Sequence, residues 1–229
     1  MEFFMNHYSI AIDGPSGAGK STMAKMLAKR LGFIYVDTGA LYRAIALFVL
    51  RQGDVPVNEA VVADFFPNIR ISFTHTGDGA QQVFLNDEDV SLSIREHIVS
   101  KAASDLSAFP SVRAFLLDLQ RSFALTHSVV MDGRDIGTVV LPTADVKIFL
   151  TASLEDRAGR RYAELLARGS DLSFEQVFSD MKLRDANDSN RAAAPLKQAE
   201  DAVLMDTTGN TIEQSVELLY SYIKEKIDL

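Results

Sequence analysis

A glycine-rich stretch near the beginning of the chain has the residue types and the spacing of a phosphate-binding loop. The pattern G-x-x-x-x-G-K-[ST] is matched by Gly14, Pro15, Ser16, Gly17, Ala18, Gly19, Lys20 and Ser21. Glycines let the backbone wrap closely around a polyphosphate, so that backbone N–H groups and the positive end of the next helix face the anion. Lys20 would add a charge near the outer phosphates, and the hydroxyl of Ser21 would bind Mg²⁺. An ordinary glycine-rich turn between a strand and a helix is the alternative.

A second group of polar residues, D-T-G-A-L-Y-R at 37–43, follows the next predicted strand. Thr38 could donate its hydroxyl to a second phosphate, and Arg43 lies one turn into the following helix. A helix N-cap followed by a surface arginine is the alternative interpretation. The D-T-G triplet also occurs in aspartic proteases, which need two such aspartates sharing a proton on an all-β scaffold. This sequence is instead dominated by helical periods.

A third group, D-G-R-D-I-G at 132–137, follows a later predicted strand. Asp132 is placed like the acid at a strand end that holds magnesium through water in phosphate-loop enzymes. Arg134 and Asp135 would project into the same crevice, because unlike charges between two glycines at a strand end are typical of a site. A loop of ordinary turn residues is also possible.

Basic residues share one face on each of two predicted helices. The first face carries Arg157, Arg160 and Arg161, with Arg168 one heptad after Arg161. The second face carries Arg184, Asp188 and Arg191. Phosphoryl transfer needs mobile cations over the γ-phosphate, and the first helix lies between short loops that could act as hinges. The alternatives are a solvated basic face for the first helix and an ordinary i,i+4 ion pair for the second.

The elements that must position these residues follow from the hydrophobic pattern. Strands are expected at 8–13, 33–36, 128–132, 146–150 and 202–206. Helices are expected at 22–31, 39–51, 58–66, 94–107, 110–126, 154–168, 173–190 and 211–227. Asn58 and Thr211 are predicted N-caps, and Gly32 is predicted to end the first helix. Strands that alternate with helices specify a doubly wound parallel sheet, which binds ligands at the carboxyl ends of its strands.

The segment 67–92 interrupts this alternation. Strands of an antiparallel patch are expected at 69–75, 82–86 and 89–91, with a turn at Gly77–Gly79 between the first two. We therefore predict an inserted subdomain with its own small sheet.

The composition is that of a globular protein and argues against several other classes. The 229 residues include no cysteine, and no apolar run approaches the length of about 20 residues that a membrane span needs. The net charge of −8 argues against a surface that coats nucleic acid. Residues 1–6 lack the basic end and the apolar core of a signal peptide, so a cytoplasmic location is expected. The four histidines show no ligand spacing, so we expect no metal site built by the protein alone.

Longer motifs closely resemble those of the bacterial cytidylate kinases. They are I-D-G-P-S-G-A-G-K-S at 12–21, D-T-G-A-L-Y-R at 37–43, A-A-S-D-L-S-A-F-P-S-V-R at 102–113, D-G-R-D-I-G-T-V-V-L-P at 132–142 and R-D-A-N-D-S-N-R-A-A-A-P-L at 184–196. The likeness extends from about Ser9 to the last helix. It implies an α/β P-loop NTPase fold of three layers, with a five-stranded parallel sheet, an inserted small antiparallel sheet and a helical lid. It also implies transfer of the γ-phosphoryl group of ATP to CMP or dCMP with Mg²⁺.

The resemblance further implies roles for individual residues. ATP would be held by residues 14–22, of which Thr22 is the last. The CMP phosphate or the transferring group would be met by Thr38, Arg43, Arg134 and Arg191. Cytosine would be read by Ser104, Arg113 and Asp135, and the pentose would be held by Arg184 and Asp188. The catalytic residues would be Lys20, Arg134, Arg157, Arg161 and Arg191. Mg²⁺ would be held by Ser21 and, through water, by Asp132.

The implied domains follow the predicted elements. The core comprises residues 1–66, 108–153 and 173–229, the region that binds the nucleoside monophosphate comprises 67–107, and the lid comprises 154–172. A monomer is expected because the sequence shows no sign of an obligate interface, and no nucleic-acid or membrane partner is expected.

Two alternatives remain open at this point. The first is a kinase for another acceptor such as UMP, AMP or shikimate, which the inserted sheet and the pair of Asp135 and Arg113 disfavour. A carboxylate accepts a hydrogen bond from the 4-amino group of cytosine, which uracil replaces with a carbonyl. The second is a nucleotide-binding switch, because D-T-T-G at 206–209 matches D-x-x-G, although no N-K-x-D motif for guanine is present.

Overall fold

The computed structural model describes residues 7–76, 81–167 and 169–228. The predicted turn at Gly77–Gly79 and the residue Arg168 lie outside these ranges. The elements follow in the order β1 (Ser9–Asp13), α1 (Lys20–Leu31), β2 (Ile34–Asp37), α2 (Thr38–Leu50), α3 (Glu59–Phe65), β3 (Ile71–His75), β4 (Gln81–Leu85), β5 (Glu88–Asp89), α4 (His97–Leu106), α5 (Pro110–Thr126), β6 (Val129–Gly133), β7 (Val146–Thr151), α6 (Leu154–Ala167), α7 (Phe174–Asn190), β8 (Val203–Asp206) and α8 (Ile212–Lys226). Short 3₁₀ segments occur at Phe66–Asn68 and Ser93–Arg95, and a π-helical turn spans Ile136–Val140.

The larger sheet has five strands in the order β2-β6-β1-β7-β8, and neighbouring strands run parallel. The predicted doubly wound sheet is therefore confirmed. In the register of these strands, Asp37 of β2 is aligned with Asp132 of β6, and Asp13 of β1 is aligned with Gly133. The acidic ends of three strands consequently meet at one edge of the sheet.

Helices cover both faces of this sheet, so its inner strands β1 and β6 are buried on both sides. Alternate residues of β1 show the arrangement: Ala11 packs in a cluster with α2, α4 and α5, whereas Ile10 and Ile12 pack in a cluster with α1 and α8. The fold therefore has three layers, and both layers of helices begin near the carboxyl edge of the sheet.

The inserted antiparallel sheet is also confirmed, with strands in the order β3-β4-β5. Phe73 of this small sheet stacks on Phe123 of α5, with ring centroids 3.9 Å apart. Phe73, Val83 and Leu85 belong to the same hydrophobic cluster as α2, α4 and α5. The insert therefore shares a core with the helices on one face of the larger sheet.

Helix ends follow the predicted capping residues. The side chain of Asn58 accepts a hydrogen bond from the backbone N–H of Val61, and that of Thr211 accepts one from Gln214. The first helix ends at Gly32, which has a left-handed backbone with φ of 71°. These residues act as predicted because capping depends on neighbours in sequence.

Two local features differ from the prediction. The helix expected at 94–107 is divided, because Glu96 has an extended backbone and α4 begins only after it. The π-helical turn at Ile136–Val140 lies in a stretch for which no helix was predicted. Among the described residues, no helix is both long enough and apolar enough to cross a membrane.

Candidate active site

The predicted phosphate-binding loop connects β1 to α1 and requires glycine. A Cβ atom at Gly14 would lie 1.9 Å from the carbonyl oxygen of Leu150, and Gly14 has a φ of 150°. Gly19 at the N-cap of α1 has a left-handed backbone with φ of 84°. The loop therefore runs against β7 and turns sharply into a helix N-terminus, as a polyphosphate-binding loop does.

Lys20 is buried at the start of α1, and its Nζ donates a hydrogen bond to the carbonyl oxygen of Pro15 at 2.7 Å. Burial, assisted by the positive charge of Arg134, lowers the pKa of Lys20 to about 7. An anion placed in the loop would add to the negative charges of Asp132 and Asp13 and so stabilise the ammonium form of this buried group.

The two residues predicted to hold Mg²⁺ are in contact. The hydroxyl of Ser21 donates to Oδ2 of Asp132 at 2.8 Å, and the hydroxyl of Tyr35 donates to Oδ1 of Asp132 at 2.8 Å. Burial and the nearby charge of Asp37 raise the pKa of Asp132. Mg²⁺ prefers oxygen ligands and is usually bound by one or two protein groups, several waters and substrate phosphates. The hydroxyl and the carboxylate fit that ligand set.

The group that follows β2 is tied together by hydrogen bonds. The carboxylate of Asp37 accepts from the backbone N–H of Ala40 and from Arg43, each at 2.9 Å. Burial acts to raise the pKa of Asp37, but Arg43 and these hydrogen bonds outweigh it, so the pKa is lowered. The hydroxyl of Thr38 donates to the carbonyl oxygen of Asp132 at 2.7 Å. Arg43 and Thr38 are therefore held beside the phosphate loop.

Asp135 lies between two arginines. Its carboxylate accepts a hydrogen bond from Arg113 and lies 3.6 Å from the guanidinium of Arg191. The backbone carbonyl of Ser107 also accepts a hydrogen bond from Arg113 at 3.3 Å. Side chains from the loop after β6, from α5 and from the end of α7 thus form one cluster of charges.

A second carboxylate on α7 continues this cluster. Asp188 accepts a hydrogen bond from Nε of Arg134 at 2.8 Å and lies 3.8 Å from Arg191. Burial and the charge of Arg134 lower the pKa of the neighbouring Arg184 to about 10. Within the described residues, Nε of Arg184 has no hydrogen-bond partner. The cluster therefore holds cationic groups that an anionic ligand would stabilise.

A cavity of about 630 Å³ joins the phosphate loop to this charged cluster. The predicted residues that line it are Ser16, Gly17, Gly19, Lys20, Ser21, Thr22, Thr38, Arg43, Ser104, Arg113, Asp132, Arg134, Asp135, Arg161, Arg184, Asp188 and Arg191. Gly14, Pro15 and Ala18 belong to the loop but do not line the cavity. The structure thus places residues from six separate stretches of the sequence around one space.

Arg157 is placed differently from the other predicted arginines. It is buried at the start of α6, where it donates to the carbonyl oxygens of Ala152 at 2.9 Å and Ser16 at 3.0 Å, and to Asp185 at 2.6 Å. It does not line the cavity, whereas its neighbours Arg160 and Arg161 do. Arg157 therefore connects the base of α6 to the phosphate loop and to α7.

Asp13 ends β1 immediately before the phosphate loop, and its role was not predicted from the sequence. Its carboxylate accepts the backbone N–H groups of Ile136 and Gly137, both at 2.7 Å. These contacts hold the start of the π-helical turn, directly after Arg134 and Asp135. The sequence feature that could have indicated this role is an acidic residue at the end of an apolar strand, because a buried carboxylate needs hydrogen-bond donors around it.

Asp13 also makes the stability of the fold depend on pH. Burial is the main cause that raises its pKa from 3.8 to about 6. Between these values the folded state holds a proton that the unfolded state has lost, so the contribution of Asp13 to the free energy of unfolding falls as pH rises. We expect Asp13→Asn to remove a slope of this sign, worth at most about 3 kcal/mol. Urea unfolding of both proteins across this pH range measures the slope, and parallel curves would contradict the prediction.

Comparison with known proteins agrees with this geometry. A family model described as cytidylate kinase matches residues 10–225. The chain belongs to the cytidylate kinase family. The cytidylate kinase of Streptococcus pyogenes serotype M5 (strain Manfredo) is 45% identical over 225 residues, which cover 98% of this chain and 100% of that protein. The cytidylate kinase of Carboxydothermus hydrogenoformans is 48% identical over 220 residues, which cover 96% of this chain and 99% of that protein.

Membership of the cytidylate kinase family confirms the resemblance stated from the motifs, and with it the activity of an ATP-dependent nucleoside monophosphate kinase. A solved structure, an uncharacterized protein from Eubacterium ventriosum, matches with a TM-score of 0.53 and 12% identity, covering 96% of this chain and 99% of that one. That likeness shows a shared fold alone.

Proposed function

We propose that the chain transfers the γ-phosphoryl group of ATP to CMP or dCMP, giving ADP and CDP or dCDP, with the residues of the described cavity holding both nucleotides. One observation supports this assignment most strongly: the phosphate loop and the cluster around Asp135 line the same cavity. If ATP binds with its phosphates at the loop and CMP binds with its base at the cluster, the γ-phosphate of ATP and the phosphate of CMP would lie next to each other between the loop and the cluster.

The donor side of the cavity is assigned to ATP. Residues of the phosphate loop up to Thr22 hold the phosphates, and Lys20 contacts the outer ones. The neighbouring wall is lined by Arg160, Asn210, Thr211, Ile212 and Ser215, which offer a planar cation, polar groups and an apolar side chain. This wall is of the kind that accepts a purine base, so we assign the adenine of ATP to it.

The acceptor side is assigned to CMP by the chemistry of its three parts. The phosphate meets Thr38, Arg43, Arg134 and Arg191, because arginine makes forked contacts with phosphate. The cytosine meets Ser104, Arg113 and Asp135, and the pentose meets Arg184 and Asp188. Asp135 accepts a hydrogen bond from the 4-amino group, and this contact distinguishes cytosine from uracil.

Magnesium is assigned to Ser21 and Asp132. When bound together with ATP, Mg²⁺ supplies positive charge that neutralises the phosphate oxygens. The hydroxyl of Ser21 offers one oxygen ligand, and Asp132 orients that hydroxyl through the hydrogen bond of 2.8 Å. Tyr35 fixes the other carboxylate oxygen of Asp132.

The protein accelerates the reaction by positioning and by charge. The acceptor is already a phosphate anion, so we assign no general base. Lys20, Arg134, Arg161 and Arg191 line the same cavity and would stabilise the charge of the transferring group. We also propose that the enzyme acts as a monomer, because the sequence shows no sign of an obligate interface.

The segments 67–107 and 154–172 are proposed as the acceptor-binding region and the lid. Helix α6 of the proposed lid packs through Ala158 and Leu165 against Val177 and Met181 of α7. This small cluster is separate from the two hydrophobic clusters of the core, so the apolar side chains of α6 pack against α7 rather than against the sheet. Such an arrangement suits a segment that closes over bound nucleotides.

Alanine substitutions of Arg161 and Arg157 are expected to affect different properties, which are the turnover rate for Arg161 and the stability of the fold for Arg157. Arg161→Ala removes a cation that lines the cavity, so kcat should fall by about 10²-fold while the free energy of unfolding stays unchanged. Arg157→Ala breaks a buried pair with Asp185, so the free energy of unfolding should fall by about 3 kcal/mol. Steady-state kinetics and urea unfolding measure both effects. A kcat in Arg157→Ala as low as that of Arg161→Ala, with normal stability, would assign Arg157 to the transferring group, as the motifs implied.

The proposed function is tested by measuring ADP formation from ATP and Mg²⁺ with CMP, dCMP, UMP, AMP, GMP and dTMP as acceptors. Rapid turnover with CMP and dCMP is expected, together with its loss when EDTA removes the metal and its return when Mg²⁺ is added in excess. Faster turnover with another acceptor would overturn the assignment of Asp135 and Arg113 to cytosine. Turnover that persists in EDTA would overturn the assignment of Mg²⁺.

A further inference from the structure

Strand β2 lies at the edge of the five-stranded sheet, with β6 on one side only. Successive residues of a strand direct their backbone groups to opposite sides, so alternate residues of β2 direct theirs away from β6. Ile34 donates its N–H to Ser128 on the β6 side. Tyr35 and Asp37 are therefore residues whose backbone N–H and C=O groups face outward.

Two side chains of the inserted sheet form hydrogen bonds with these outward-facing backbone groups. Nε2 of His75 lies 2.7 Å from the carbonyl oxygen of Tyr35. The amide of Gln81 bonds both backbone groups of Asp37: its Oε1 accepts from the N–H at 2.8 Å, and its Nε2 donates to the carbonyl at 3.4 Å. His75 and Gln81 face each other across β3 and β4. We name these two residues the hairpin clamp.

The hairpin clamp replaces a missing strand at this point. A primary amide has one acceptor and a donor side by side, so a single glutamine can bond the N–H and the C=O of one residue as a neighbouring strand would. Gln81 is 8% exposed, so its amide has little access to water that could compete for these bonds. The hydrogen bonds between Gln81 and Asp37 are therefore shielded from competition by water.

The two residues that the hairpin clamp contacts, Tyr35 and Asp37, each hold a residue of the active site with their side chain. The carboxylate of Asp37 holds Arg43 and caps α2, the helix that carries Arg43. The hydroxyl of Tyr35 holds Asp132. The backbone positions from which both side chains reach the site are fixed by hydrogen bonds from the insert.

We infer that Gln81 and His75 are positioning residues for the acceptor phosphate. They fix the backbone of β2 so that Asp37 presents Arg43 to the phosphate of CMP in a single orientation. The inference rests on the proposed function, in which Arg43 binds that phosphate. It predicts a specific defect: loss of the Gln81 side chain weakens the binding of CMP through Arg43 more than the binding of ATP, because the described hydrogen bonds of that side chain go to Asp37 and not to the phosphate loop.

The test uses Gln81→Met, which keeps the approximate volume of the side chain and removes both hydrogen bonds. We expect the KM for CMP to rise about tenfold, the change that follows from leaving one buried backbone group unpaired. The KM for ATP should change by less than about twofold. Gln82→Met is the matched control, because Gln82 is the next residue of β4 and bonds Asp89 at the surface at 3.3 Å. The control should match the wild-type protein in both KM values.

A double-mutant cycle with Arg43→Ala separates positioning from a general loss of structure. If Gln81 acts through Arg43, then Gln81→Met should raise the KM for CMP no further in the Arg43→Ala protein. An equal tenfold rise in both backgrounds, or an equal rise in the KM for ATP, would overturn the inference. Thermal unfolding of each variant shows whether the fold is retained.

His75→Phe provides a second variant, which keeps an aromatic ring and removes one hydrogen bond. The KM for CMP should rise about threefold, with the same dependence on Arg43. Arg43→Ala alone reports on the proposed function, since a wild-type KM for CMP would remove Arg43 from the phosphate site. A raised KM in Arg43→Ala with wild-type values in Gln81→Met and His75→Phe would overturn the inference and leave the proposed function intact.

Discussion

Asp135→Asn is expected to lower kcat/KM for CMP by about 10²-fold while kcat/KM for UMP stays unchanged or rises. A carboxylate only accepts hydrogen bonds, whereas an amide can also donate to the carbonyl that uracil has in place of the 4-amino group. A good contact to a base edge gives about 1–3 kcal/mol of discrimination, which is about 5- to 150-fold in kcat/KM. The amide has the same shape as the carboxylate, so Arg113 keeps an acceptor within the cavity.

Asp188→Asn is the matched control for this prediction. It removes an equal charge from the same cavity, and Asp188 accepts from Arg134 at 2.8 Å. Because Asp188 is assigned to the pentose, which CMP and UMP share, both acceptors should lose activity alike and their ratio should stay at the wild-type value. Kinetics with both acceptors at saturating ATP measure the two ratios. A wild-type ratio in Asp135→Asn would show that Asp135 does not read the base.

The carboxyl edge of the sheet could be predicted from the sequence because its polar groups directly follow short apolar strands. The phosphate loop after β1 and the groups beginning at Asp37 and Asp132 needed only a parallel sheet to become neighbours. The same kind of local reasoning predicted that residues on one face of a helix lie close together. Arg184, Asp188 and Arg191 line one cavity because their spacing is set by the helix itself.

Contacts between distant segments could not be predicted in this way. The π-helical turn after Asp135 is held by Asp13, which is more than 120 positions away, so the local pattern of apolar residues did not predict it. The contact of Gln81 with Asp37 joins two sheets whose relative position the pattern does not specify. Helical spacing put Arg157 beside Arg160 and Arg161, but only the packing of α6 shows that Arg157 is buried against the carbonyl of Ser16.

Lys20→Met is expected to lower kcat by about 10²- to 10³-fold with little change in the KM for CMP. Lys20 is buried at the carboxyl edge of the sheet, where water screens charges weakly, so its ammonium group would act strongly on a phosphoryl group in transfer. Removing one preorganised group of this kind costs about 2.7–4 kcal/mol of transition-state stabilisation. Methionine fills similar space without charge, and burial already lowers the pKa of Lys20, so its loss should not destabilise the fold.

Lys25→Met is the matched control, because Lys25 lies on the same helix, lines the same cavity and carries the same charge. Its Nζ lies over the ring of Tyr35, 5.4 Å from the ring centroid, and makes no contact with the phosphate loop among the described hydrogen bonds. We expect its kcat to stay within about threefold of the wild-type value, since Lys25 is only half-buried and solvent screens its charge more than that of Lys20. Single-turnover kinetics with ATP and CMP separate the chemical step from product release in both variants. A chemical step slowed equally by the two substitutions would mean that net charge in the cavity, rather than the contact of Lys20 with the phosphates, governs the rate.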